Sequence, residues 1–116
     1  MELNDLQRRV AETAIYPDEN QVIYPVALLV EEAGETQRIL NKQMRREPVP
    51  FVVSPENRER LLEELEDVLW AVVQGITDLG VTLEDAAAHL LYRLNQRASA
   101  GLIDGEGHGE DRYRGA

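Results

Sequence analysis

Over its first hundred residues the chain places apolar side chains every three or four positions, in runs broken by proline and glycine. That rhythm belongs to amphipathic helices, and no alternation of the strand type persists. Leu3, Leu6 and Val10 form one stripe and predict a first helix over residues 3–13. A turn-rich segment, Tyr16-Pro17-Asp18-Glu19-Asn20, follows it. Pro25 suits a first helical position and opens a second predicted helix over residues 25–44. Pro48 and Pro50 interrupt the connection over residues 45–53. Ser54 as N-cap, Pro55 after it and Glu56 near the positive dipole end then start a third helix. It is predicted to reach Leu79 and stop at Gly80. Thr82, with Asp85 three residues on, caps a fourth helix that ends near Ala98 to Gly101. Leu65, Leu69, Val72 and Ile76 fall at the apolar centre of the third helix. The expectation is an all-α domain over residues 1–104 and a glycine-rich polar tail over residues 105–116.

Size and charge narrow the functional classes. A chain of 116 residues with 43% hydrophobic side chains makes one domain, small enough that association with a second copy would complete its core. No stretch approaches the length of a membrane span, and Met1 to Asp5 lack the basic start and apolar run of a signal peptide. The absence of cysteine excludes disulfides and thiolate metal sites, and a cytoplasmic setting is expected. A net charge of −10 argues against a nucleic-acid polymer as partner, though not against a free nucleotide that arrives with its own cations.

The chemistry lies in two acidic clusters, Glu31-Glu32-Ala33-Gly34-Glu35 and Glu63-Glu64-Leu65-Glu66-Asp67. Glu32 and Glu35 stand three apart, as do Glu64 and Asp67. On a helix that spacing sets both side chains on one face, about 5–6 Å apart at Cβ. Two such helices side by side would crowd four carboxylates into one volume, where a hard divalent cation is the usual remedy. At about 100° per residue, Glu32 falls inside the apolar sector of its helix, between Leu28 and Ile39 on one side and Leu29 and Leu40 on the other. Glu64 borders the apolar sector of helix three beside Leu61 and Val68, and Asp67 lies next to Ala71. An unpaired carboxylate in such a place costs several kcal/mol. The competing interpretation is an acidic surface that solvent satisfies. Iron is disfavoured, because neither His89 nor His108 stands three residues after a glutamate. An all-oxygen donor set points to Mg²⁺, with Mn²⁺ as a substitute, and hence to a phosphate-bearing ligand.

The order and spacing of these residues resemble a known family. Glu31-Glu32-x-x-Glu35, then residues 36–63, then Glu64-x-x-Asp67 is similar to the signature of the all-α nucleoside triphosphate pyrophosphohydrolases of the MazG type. Thr13-Ala14-Ile15-Tyr16-Pro17, Glu64-Leu65-Glu66-Asp67-Val68-Leu69-Trp70 and Leu79-Gly80-Val81-Thr82-Leu83-Glu84-Asp85 resemble other parts of such chains, so the likeness covers nearly the whole sequence. Leu90 departs from it, where family helices often carry asparagine, and the tail is more acidic than usual. The resemblance implies a four-helix-bundle core completed by oligomerisation, as a homodimer or homotetramer. It implies Mg²⁺-dependent hydrolysis of (deoxy)nucleoside triphosphates to monophosphate and pyrophosphate, with nucleotide house-cleaning as the role. Glu32, Glu35, Glu64 and Asp67 would map onto the metal ligands. Glu31 or Glu35 is the candidate base, and Lys42, Arg93 and Arg97 are candidate phosphate contacts.

Two alternatives accompany this expectation. One is a non-catalytic acidic helical dimer that binds a metal or a protein. The other is an enzyme of the same fold restricted to one base, such as an all-α dUTPase or dCTPase. Tyr92 or Trp70 is the candidate for stacking on a base, with a core role favoured for Trp70.

Overall fold

The computed structural model describes residues 1–47 and 52–101; the predicted tail, along with Pro48 to Phe51, lies outside the described residues. Among the described residues the structure is entirely helical, with α1 Leu3–Ala11, α2 Ile23–Met44, α3 Pro55–Asp78 and α4 Leu83–Ser99. A short 3₁₀ turn, Asp18–Asn20, lies in the connection between α1 and α2.

The helix boundaries follow local chemistry. The Ser54 hydroxyl accepts the Asn57 N–H at 3.2 Å and Pro55 occupies the first helical position, where no amide proton is needed. At the other end of α3, Gly80 adopts φ 78. Its N–H donates to Thr77 C=O at 2.9 Å while Val81 N–H reaches back to Ile76 C=O at 3.3 Å. This is the Schellman arrangement, which a left-handed glycine makes possible. Thr82 then caps α4 through a bond from Asp85 N–H at 3.1 Å.

Helix α2 begins two residues before Pro25. The proline still sits in the first turn, where its missing N–H breaks no bond. The early start is made by Val22, at φ 65 and ψ −50, with Ile23 N–H donating to Gln21 C=O at 2.7 Å. That is a γ-turn of the rare positive-φ hand. A β-branched residue held there costs about 1–3 kcal/mol and persists only where its surroundings enforce it.

Helices α2 and α3 form an antiparallel hairpin stapled at both ends. At one end Gln43, 5% exposed, uses its whole amide: Oε1 accepts Ser54 N–H and Asn57 Nδ2, and Nε2 donates to Glu47 and to Val52 C=O. At the other end Asp78 of α3 accepts the Val22 N–H at 2.9 Å. Helix α1 is tied across the α3–α4 turn by Gln7, which donates to Thr77 Oγ1 and Val81 C=O and accepts from Leu83 N–H. Asn4 accepts the Glu84 N–H and so covers another free amide at the start of α4.

Among the described residues the buried apolar side chains are Pro25, Ile39, Ala71 and Val73. This corrects the sequence-based expectation for α3: Leu65 is 53% exposed and Leu69 50%, with Leu62 and Val72 also open to solvent. Periodicity identifies an apolar stripe but does not say what covers it. Within one chain α2 packs on the neighbouring stripe, which carries Leu61, Glu64, Val68 and Ala71.

Gly80→Ala tests the α3–α4 turn. Nothing stands within 4 Å of the added methyl, so its effect is the backbone conformation alone. The expected loss is about 1–2 kcal/mol in denaturant unfolding. Unchanged stability would contradict the positive-φ turn.

Candidate functional site

Halfway along the hairpin, α2 and α3 bring acidic side chains face to face. Glu32, Glu64 and Asp67 each offer a carboxylate oxygen within 4.8 Å of the other two. Glu32 and Glu64 are half-buried and Asp67 is exposed, so the group opens to solvent on one side. Glu64 Oε2 is buried and has no hydrogen-bond partner. Glu32 is pushed up to about 7, first because Glu64 hydrogen-bonds to its protonated form. Burial adds to the rise, as do the negative charges of Glu64, Asp67 and Glu31. The three side chains therefore fit a hard divalent cation, which would satisfy the orphaned oxygen and replace the proton that now relieves their repulsion.

Beside the carboxylates lies a cleft of about 570 Å³. Glu32 and Asp67 form its acidic end, and Tyr16, Tyr24, Leu28 and Trp70 form the rest of its wall. Tyr16 and Tyr24 stack with centroids 4.7 Å apart and planes 19° from parallel. Trp70 Nε1 donates to Thr13 Oγ1 at 2.7 Å, fixing the indole against the α1–α2 connection. The cleft therefore sets aromatic side chains and carboxylates in one wall, the combination of apolar surface and a few polar groups usual in ligand sites.

The other predicted site residues occupy different surroundings. Glu35 is outside the three-carboxylate group, its Oε1 2.8 Å from Arg38 Nη2. Glu31 and Lys42 are exposed on α2. On α4, Arg93 is half-buried and Arg97 is only 4% exposed. Tyr92 is exposed and does not line the cleft, whereas Trp70 does. Tyr16 and Tyr24 were not singled out by sequence reasoning as a wall of the site. The available signal was two aromatics bracketing the polar turn that leads into the acidic helix.

Three carboxylates between two helices thus open onto an aromatic-lined cleft. The MazG nucleotide pyrophosphohydrolase domain matches residues 24–101. That span takes in all three carboxylates, and the chain belongs to this family of nucleotide hydrolases. It is also similar to the "Gene 37 protein" of Mycobacterium phage L5, 34% identical over 113 residues, covering 92% of this chain and 97% of the relative. No solved structure matches it.

The raised Glu32 gives a pH test with a definite sign. A carboxyl whose folded pKa lies above its unfolded value lends stability at low pH and loses it as pH rises through the folded value. The metal-free protein should therefore melt at progressively lower temperature as pH rises from 4.5 through about 7. Millimolar Mg²⁺ should oppose the decline, most strongly above that range. A melting temperature in EDTA that rises across this interval would contradict the carboxylate crowding.

Proposed function

We propose that this protein hydrolyses (deoxy)nucleoside triphosphates to the monophosphate and pyrophosphate, with Mg²⁺ held by Glu32, Glu64 and Asp67. The observation that carries this reading is the partnerless Glu64 Oε2 in a carboxylate trio at the mouth of an aromatic slot. Mn²⁺ is the expected substitute. Glu35 completes the ligand set by releasing Arg38, since an exposed ion pair of this kind holds by about 0–1 kcal/mol. When bound, the cation supplies charge neutralisation at phosphoryl oxygens and lowers the pKa of a water.

The protein's own groups do the rest. The Tyr16–Tyr24 pair and Trp70 receive the base by stacking, which places the polyphosphate at the acidic end of the slot. Glu31, exposed one residue before Glu32, and Glu35 are the carboxylates available to take the proton from the attacking water. Exposed Lys42 and half-buried Arg93 are the cations proposed to meet phosphate oxygens. Arg97, only 4% exposed and not lining the cleft, is a weaker candidate for this role.

A second copy of the chain completes the fold in this account, as a homodimer or homotetramer. Leu62, Leu65, Leu69 and Val72 make an exposed apolar stripe at helical spacing along α3, and a core as small as Pro25, Ile39, Ala71 and Val73 leaves much to gain from covering it. The role is clearance of surplus or damaged nucleotides in the cytoplasm. Among the described residues no helix is long and apolar enough to cross a membrane.

Pyrophosphate release from each (d)NTP with Mg²⁺ tests the reading, with Glu64→Gln as the blank. Metal-dependent release that Glu64→Gln loses is the expected result; strong preference for one base would mark a dUTPase- or dCTPase-like enzyme. Glu32→Gln should also lose turnover while raising the melting temperature of the metal-free protein above about pH 7, where it removes a crowded charge. A folded protein that binds Mg²⁺ and releases no pyrophosphate from any nucleotide would favour a non-catalytic metal- or protein-binding dimer. Sedimentation at micromolar concentration should show a dimer or tetramer, and a monomer would contradict the apolar-stripe interface.

A further inference from the structure

We propose that Asp78 is a positioning residue for substrate: it holds the α1–α2 connection in the shape that makes the aromatic wall of the cleft. The proposal rests on the nucleotide reading above for its effect on KM, and on geometry alone for the clamp itself.

Asp78 is the last residue of α3, far along the helix from the carboxylate trio. Its Oδ2 accepts both the Tyr16 hydroxyl, at 2.5 Å, and the Val22 N–H, at 2.9 Å. Its Oδ1 accepts Gln74 Nε2 at 3.0 Å, and Gln74 is itself buried. One carboxylate thus ties the middle of the segment that separates α1 from the acidic helix, at Tyr16, to its last residue, Val22. A single acceptor oxygen here secures, through two hydrogen bonds, a backbone that would not hold its shape unaided. Val22 is in the strained γ-turn, and Tyr16 is the ring stacked on Tyr24 in the cleft wall. The hydroxyl remains a donor throughout the working range, because burial and then the bond to Asp78 push the Tyr16 pKa up to about 12.

The arrangement separates two functions within α3. Glu64 and Asp67 face the carboxylate group, while Asp78 acts only through Tyr16 and Val22. Loss of Asp78 should loosen the wall that meets the base and leave the acidic end intact. The consequence is weaker substrate binding with little change in the chemical step.

The test uses the full-length protein and the (d)NTP it turns over fastest. Asp78→Ala should raise KM about five- to tenfold, the scale of a lost aromatic contact, with kcat within about twofold. Asp78→Asn keeps an acceptor for Tyr16 and Val22 and can pair with a flipped Gln74 amide, so it should stay near wild type. Tyr16→Phe keeps the ring and removes one arm, and should raise KM by an intermediate factor. Added to Asp78→Ala it should cost nothing further, since both changes break the same bond.

Trp70 provides a readout independent of turnover. The only tryptophan of the chain is bonded to Thr13 in the same connection, so Asp78→Ala should increase its quenching by acrylamide, and Asp78→Asn should not. Wild-type KM and wild-type quenching in folded Asp78→Ala would overturn the proposal. So would a fall in kcat at constant KM, which is the mark of a smaller folded fraction rather than a displaced wall. If Asp78→Ala does not fold, Tyr16→Phe decides: unchanged KM and unchanged quenching in that variant overturn the clamp. A wild type inactive on every nucleotide would remove the nucleotide reading alone, and Trp70 quenching would then decide the clamp.

Discussion

Three carboxylates held within reach of one another are the constraint on which the rest of the structure depends. Like charges at this separation repel, and folding must either protonate one of them or supply a cation. The protein without metal takes the first course, with Glu32 raised to about 7 by its bond to Glu64. Packing elsewhere has to hold two helices together across this repulsion. The hairpin does so from its ends, with Gln43 fastening one and Asp78 the other. A site that is destabilising when empty is stabilised by whatever fills it.

The aromatic slot depends on the same hairpin. Its floor comes from α2 and α3, but its outer wall belongs to the connection after α1, which has little regular structure of its own. Two α3 side chains hold that wall, Trp70 through Thr13 and Asp78 through Tyr16 and Val22. Helix α3 therefore carries the carboxylates of the proposed metal site at its middle, and side chains that hold the cleft wall from its middle to its end. The strained Val22 closes the connection that supplies Tyr16 to the cleft wall.

Much of this was legible in the sequence, for reasons that can be named. Ser54, Pro55, Gly80 and Thr82 act through local chemistry, so the ends of α3 and the start of α4 appear where their residue types place them. Glu32, Glu64 and Asp67 were legible because three-residue spacing on helices puts carboxylates on one face, and a carboxylate inside an apolar sector demands a partner. Pro25 misled by two residues, because the γ-turn that starts α2 early has no sequence signature in a valine. Leu65 and Leu69 misled differently: their stripe is real, but one chain leaves it uncovered. Asp78 was not legible at all. It looks like any acidic residue near a helix end, and its importance comes from two groups more than fifty positions away.

The most direct test of the central claim is proton release on metal binding. Titrating Mg²⁺ into the nucleotide-free protein by calorimetry, in buffers of different ionisation enthalpy, counts the protons displaced. Below about pH 7, where Glu32 carries a proton in the metal-free protein, the release should approach about one proton per site, and it should vanish well above that pH. Mg²⁺ that binds with no proton release at any pH, or that does not bind, would contradict a cation site built on these crowded carboxylates.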